Sequence, residues 1–496
     1  MNQSLSWLAV LAIGAFAVAC TPLVGLFPAS APTPDPGQVY RPALQGWAQS
    51  QLDSAGPLPH YTIQAELSPS GDWLGGTMSA AIPNNSSDVW PNLVFRLYPN
   101  MPHYGGAMQV TQLQVNGEAA AAELVADGAA LRVTLPEPLK PGQSAAMTLA
   151  FKVNLPQHTD GYTLFGWEDG ILSLPGFYPT LAVYDETLRS VSGGWAIEVP
   201  PPFADVLFNP VAFYDLAFTA PANLTLVTSG NTLQTSAEAD GRQTWHIGGG
   251  PLRDMTILAS DRWAAASDTA AGATVTSYYP ATAGAAGRAA LFHAAAALRL
   301  YSDLYGRYPY TEFDVVAAPL GVRGMEYSGL VTIGEDLYGP HRDQLAFLVA
   351  HETAHQWWYA QVGSDPMAHP WLDEGPAEYA AFDYYRGVYG QSAAEELLSA
   401  RWQTPYAVAA ARGIDGPVDQ AASAMSDANY ELLTYAKAAL FFDALRDQSG
   451  DETYRHVMQA YMDTYRWQIA TPQHFFGLAQ TLAEANLNPL IEDWLR

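Results

Sequence analysis

His351, Glu352, Thr353, Ala354 and His355 form a His-Glu-x-x-His string, and eighteen residues separate His355 from Glu374. On an α-helix, positions four apart share a face. Two imidazoles so spaced can therefore point at one metal ion, with the carboxylate that follows the first of them alongside. A catalytic zinc takes three protein ligands and leaves its fourth tetrahedral position to water. Glu374, in the run His369-Pro-Trp-Leu-Asp-Glu374, is the candidate third ligand. Glu352 is then a base rather than a ligand, placed to take a proton from water, and the chemistry is metal-assisted hydrolysis.

The elements that must position these groups are legible around them. No Gly or Pro interrupts Asp343 to Tyr359, and Leu345, Phe347, Leu348, Ala354, Trp357 and Trp358 offer apolar positions for burial. A helix is expected there, ended by the turn cluster Val362-Gly-Ser-Asp-Pro366. A second helix is expected from about Asp373 to Tyr385, carrying Glu374 in its first turn. Asp373 and Glu378 flank Glu374, and one of them is expected to hydrogen-bond a ligating imidazole.

Taken together, the strings resemble a known group. His-Glu-Thr-Ala-His-Gln-Trp-Trp from His351, with the later Trp-Leu-Asp-Glu-Gly ending at Gly375, is similar to the gluzincin metallopeptidases of the aminopeptidase N and leukotriene hydrolase family, whose usual strings are HExxHQW and WLNEG. Gly324-Met325-Glu326-Tyr327 resembles that family's GxMEN string, and Tyr430 with Tyr435-Ala-Lys437 resembles its Tyr, then YxKG, pattern. The chain departs from those strings at Arg323-Gly324 for Gly-Ala, at Tyr327 for Asn and at Ala438 for Gly.

The resemblance implies one zinc ion per chain, held by His351, His355 and Glu374. It implies Glu352 as general base and the Tyr435 phenol as donor to the oxygen on which negative charge develops. Glu326 would anchor the free α-amino group of a peptide, selecting chain ends over internal bonds, with Gly324, Met325 and Tyr430 lining the substrate site. An aromatic in the apolar stretch Tyr430 to Leu445 is often simply core, so position relative to the zinc string is what singles out Tyr435. The function expected is a zinc aminopeptidase acting on peptides. Its alternatives are an endopeptidase or other hydrolase on the same site, including the epoxide hydrolysis of a relative, and a catalytically silent surface lipoprotein.

The amino terminus carries a separate signal. Trp7 to Ala19 is an unbroken run of thirteen apolar or small residues, too short for a transmembrane helix and suited to the core of a secretory signal. Ala17-Val-Ala-Cys20 resembles a bacterial lipobox, and Cys20 is the only cysteine. A lipidated Cys20 on an exported protein is the expectation, anchoring the enzyme to a membrane at the bacterial surface or in the periplasm. Residues 1–19 would be the signal peptide and 20–40 a Pro/Ala-rich tether.

Composition bounds the rest. Hydrophobic residues at 49% exclude a disordered chain, and a net charge of −27 argues against nucleic acid as a partner. From about Tyr40 to Trp263, short alternating segments such as His60 to Leu67, Leu131 to Leu135 and Met147 to Val153 predict an antiparallel β-sandwich or saddle over 41–264. Phe177 to Asp185 resembles a segment of the family's bacterial members. From Ala265 the texture turns helical: Ala289 to Leu304 reads as a helix and Phe313 to Ala318 as a strand. Residues 265–496 are expected to form the mostly helical α+β, thermolysin-like catalytic domain that the resemblance implies. With the chain ending at Arg496, no large helical repeat domain is expected, the cleft should be more open to larger peptides, and the protein is expected to be a monomer.

Overall fold

Strand alternation organises the first half of the molecule. The computed structural model describes residues 39–52, 55–159, 164–483 and 485–495, so Cys20 and the signal run lie outside the described residues. The largest element is an eight-stranded sheet with His60–Leu67 and Trp73–Pro83 near its centre. His60–Leu67 alternates outward and inward positions, with Tyr61, Ile63, Ala65 and Leu67 buried. Against it pack two four-stranded sheets, one built on Trp90–Arg96 and Ala130–Leu139, the other on Ile171–Leu174 and Ile257–Ser260. Most pairings are antiparallel, as expected; His60–Leu67 with Ala212–Pro221 is parallel, a long-range join that local alternation cannot announce. Tyr40, at the end of the expected tether, is buried and stacks on Phe213.

The second domain begins with its own five-stranded sheet: β1 Trp263–Ala270, β2 Ala273–Pro280, β3 Glu312–Ala318, β4 Gly324–Tyr327 and β5 Leu330–Gly334, in the order β1-β2-β3-β5-β4. The expected boundary at 264/265 thus falls inside β1. Helix α1, Gly284–Tyr305, crosses this sheet and buries a row of alanines with Leu298 and Tyr301. Three helices follow that shape the site: α2 Leu345–Ala354, α3 Trp371–Tyr389 and α4 Ala438–Ser449. The Tyr301 hydroxyl of α1 donates to Ala350 O on α2 at 3.2 Å and to Ala380 O on α3 at 3.0 Å, bridging the two site helices. Trp371, which opens α3, is fully buried and stacks on Phe476 at 5.6 Å. Burying a side chain of that size contributes roughly 2–3 kcal/mol.

Helix α2 is shorter than expected, ending at Ala354 with His355 as its cap rather than at Tyr359. Tertiary bonds take over its last turns. Tyr359 adopts φ 103°, and its carbonyl accepts from Arg253 Nε of the sheet domain at 2.5 Å. Arg253 also donates to Asn209 O, Gln361 O and Gln468 O, while its neighbour Asp254 accepts from Ser229, Thr256, Ser328 and Tyr359. This buried pair clamps the chain after the His-Glu-x-x-His string onto the first domain.

Candidate metal centre and active site

The three candidate ligand atoms converge. His351 Nε2 and His355 Nε2 are 3.3 Å apart, and Glu374 Oε2 lies 3.3 Å from the first and 3.5 Å from the second. Donor atoms about 2.0–2.1 Å from a tetrahedral zinc are about 3.3 Å from one another, so this triangle has the size the ion requires. Glu374 Oε2 is buried with no hydrogen-bond partner among the described residues, which is the state of an atom reserved for a cation. Glu326, His355 and Asp373 also gather ligand-type atoms within 4.8 Å, but Asp373 and Trp358 O take the His355 Nδ1 edge at 3.0 and 3.1 Å. Both are acceptors, so Nδ1 carries the proton and Nε2 presents its lone pair to the triangle.

The surroundings hold each ligand in place. Asp373 hydrogen-bonds His355, as one of the two flanking acids was expected to, while Glu378 Oε1 faces His351 Nδ1 across 3.6 Å, beyond hydrogen-bond distance. Glu378 is itself gripped by Arg401 Nε at 2.9 Å, Arg401 Nη2 at 2.8 Å and Trp402 Nε1 at 2.5 Å. Burial opposes the Glu374 charge, but His355 and His351 hold its carboxyl well below the ordinary range.

Glu352 is buried beside this triangle with no hydrogen-bonding partner among the described residues. Desolvation raises its carboxyl to about 7, against the pull of His351 and His355. That is near the value at which a carboxylate both accepts and returns a proton at neutral pH. Edge strand β4 passes so close that a Cβ on Gly324 would overlap the Glu352 carboxylate. Gly324 therefore supplies approach rather than contact. Met325 is half-buried in the recess next to it.

β4 also delivers Glu326, whose register opposite Val331 on β5 turns it inward. The carboxylate is buried, meets no hydrogen-bond donor among the described residues, and is pushed well above the usual range by burial. Asp205 shares its recess with Tyr104, Leu164, Leu207 and Met325. Burial first, then the charges of Glu374 and Asp373, push Asp205 up as well, with the Glu374 carboxyl in hydrogen-bonding reach and the Tyr430 hydroxyl donating at 3.5 Å. Sequence reasoning missed Asp205. A lone acid between Ala204 and Val206 in a Pro-rich loop of the sheet domain was its one cue.

Tyr435 reaches the site from the segment Glu431–Lys437, which is wound as a π-helix between Asp427–Tyr430 and α4. Its hydroxyl donates to Glu374 Oε1 at 3.1 Å, and its ring lies 6.4 Å from that of His351. Burial and then Glu374 keep the phenol far above its ordinary value, so it remains an O–H donor. Tyr430 is buried against Phe203 and Tyr435, one layer behind. His369, also near the string, is a structural group bonded to Asp419 at 2.6 Å. Lys437 pins the loop at Asp415 and Gly416 with two bonds of 2.7 Å.

A sheet domain and a helical domain together frame the His-His-Glu triangle. Residues 289–494 match the Peptidase family M1 domain, and every candidate site residue from Gly324 to Tyr435 lies within it. Aminopeptidase M1-B of Oryza sativa subsp. japonica is 26% identical over 226 residues, 42% of this chain and 25% of that protein. Aminopeptidase N of Haemonchus contortus is 27% identical over 193 residues, 35% of this chain and 19% of that protein. The chain thus spans about a quarter or less of the length of these curated relatives. The M1 zinc metallopeptidase of Deinococcus radiodurans shares the fold with a TM-score of 0.65 at 20% identity, covering 88% of this chain and 93% of that one. A point mutant of the same protein, solved with the substrate Tyr-Ser-Ala, matches with a TM-score of 0.65 at 19% identity, covering 88% of this chain and 94% of that one.

Proposed function

We propose that the protein is a zinc-dependent aminopeptidase acting on extracytoplasmic peptides. The observation that carries the choice of a free amino end is the buried carboxylate of Glu326 together with the half-buried one of Asp205, one from each domain, facing a shared recess beside the metal triangle. A carboxylate drawn out of water with no ion pair among the described residues costs several kcal/mol unless something positive arrives, and an α-ammonium group is the charge a peptide end brings.

His351, His355 and Glu374 would hold zinc, which when bound acidifies water and polarises a carbonyl oxygen. Glu352 takes the proton from the attacking water and passes it to the departing amine. The Tyr435 hydroxyl donates to the oxygen on which charge builds, while Glu326 and Asp205 fix the amino end so that the first peptide bond is the one presented. The relatives named aminopeptidases support this reading over their shared region.

A panel of aminoacyl reporters, each with a free or acetylated amino group, tests it with and without a chelator. Hydrolysis confined to free amino ends, abolished by chelation and restored by zinc, is expected. In Glu326→Ala, kcat/KM on free-amino substrates should fall about 100-fold, in line with a charge-assisted contact. Cleavage of acetylated peptides at internal bonds would make the protein an endopeptidase instead.

Export rests on Trp7 to Ala19, and anchoring on Cys20. The expected result is metabolic incorporation of palmitate that Cys20→Ser abolishes. An unlabelled, freely released wild-type protein would remove the anchor from the proposal.

A further inference from the structure

Acids crowd one end of the site, and the other end carries a cation. Arg401 lies on a second π-wound segment, Leu398–Gln403, with its guanidinium carbon 3.7 Å from the centre of the Phe347 ring. Phe347 in turn stacks on His351, with 6.0 Å between ring centres and 19° between planes. Arg401 therefore stands one ring away from a candidate metal ligand.

A guanidinium has five N–H donors. Glu378 engages Arg401 through Nε and one Nη2 hydrogen, and no acceptor among the described residues meets Nη1. The stack on Phe347 fixes the plane, Glu378 occupies one edge, and the side chain is still 39% exposed. The groups whose charge reaches Arg401 besides Glu378 are Tyr435 and Glu431. Glu326 and Asp205 instead answer to His355, Glu374 and Asp373. The two ring contacts keep the guanidinium within about 10 Å of the His351 ring, held in plane by stacking and with an exposed edge, while Glu326 and Asp205 gather in the recess beside the metal triangle.

Support of Glu378 does not require that exposed edge, because Trp402 Nε1 already donates to the same carboxylate. A planar donor fork with one edge free is suited to a carboxylate. We propose that Arg401 receives the carboxyl terminus of the substrate, one or two residues beyond the scissile bond, so that the favoured substrates are di- and tripeptides with both ends free. This rests on the aminopeptidase reading above. One extended residue spans about 3.3–3.6 Å, so a short peptide bridges the two charged ends whereas a longer one carries its carboxylate past Arg401. The net charge of −27 offers carboxylates no general attraction, so this local edge would set the preference.

The test measures kcat/KM of the zinc-loaded full-length protein for di- and tripeptides as free acids and as carboxyl-terminal amides. The wild type should favour the acid about tenfold, the order of one charge-assisted contact. In Arg401→Gln the ratio should fall to about one, whatever loss the loosened Glu378 imposes on both substrates; Arg401→Lys should keep part of it. Trp402→Phe loosens Glu378 without touching the guanidinium. It should slow both substrates alike and leave the ratio intact. A wild type indifferent to amidation, or a ratio unmoved in Arg401→Gln, overturns the assignment. Absence of hydrolysis of either form by the zinc-loaded wild type overturns the aminopeptidase reading itself, and this inference with it.

Discussion

The buried acids of helix α3 and those of the cleft floor make opposite bargains with their surroundings. On α3, Asp373 is matched to His355, Glu378 to Arg401 and Trp402, and Asp383 to Arg446 at 2.7 Å, Tyr305 at 2.7 Å and Arg386 at 2.9 Å. On the floor, Glu352 and Glu326 meet no donor among the described residues, and half-buried Asp205 meets a distant phenol beside the Glu374 carboxyl. A buried carboxylate with its donors in place belongs to the scaffold; one kept without them waits for a ligand, a proton or a substrate charge. Substitutions on the two sides should therefore differ in kind, with the first set costing stability or metal and the second costing turnover.

The sharpest separation comes from Glu352→Gln, which keeps the shape and removes the base. Turnover should fall about 1000-fold or more, with zinc content and Tm unchanged or Tm slightly raised, as checked by single-turnover kinetics beside metal analysis and calorimetry. Its mirror is Asp383→Asn, which leaves Arg446 and Arg386 facing a neutral group: a loss of about 3 kcal/mol in urea unfolding is expected, with activity per folded molecule little altered. If the two variants behaved alike, the division between scaffold and floor would collapse.

Tyr435→Phe comes next, with kcat lowered about 100-fold and KM little changed, since the phenol serves a charge that exists only as the bond breaks. Asp373→Asn should weaken zinc about 10- to 100-fold in competition with a chelator while leaving the fold intact, because Asp373 orients a ligand rather than supplying one. The smallest effect concerns His293, which pairs with Tyr384 of α3 at 2.7 Å. Burial, then Arg342, lowers its folded value to about 4 from an ordinary 6.5. Between pH 6.5 and 4 the unfolded chain thus holds more protons than the folded one, so stability falls as pH falls through that window. Tm measured at pH 7 and pH 5 should show a smaller drop in His293→Gln than in the wild type.

Legibility followed locality along the chain rather than this division. His351, Glu352, His355 and Glu374 were readable because one helical turn and one neighbouring helix set their spacing, and the strands of the sheet domain because alternation is local. Asp205 was not, since only tertiary folding carries a loop of the sheet domain into a recess beside β4. Nothing in the sequence marks Arg401, because its stack on Phe347 depends on a π-wound turn that no periodicity encodes. The early end of α2 was hidden for a like reason: Arg253, about a hundred residues upstream, takes the Tyr359 carbonyl.

The winding of Glu431–Lys437 has a consequence for how such a protein could change. A π turn holds one residue more than the helix around it needs, so deleting a single residue between Tyr435 and Ala438 would let the segment relax into regular α winding. Everything before the deletion would rotate about 100° relative to α4. Tyr435 would leave the triangle without any ligand being touched. A lineage could therefore silence the proposed activity, or turn this domain into a binding module, through the loss of one codon at a position that bears no chemistry of its own.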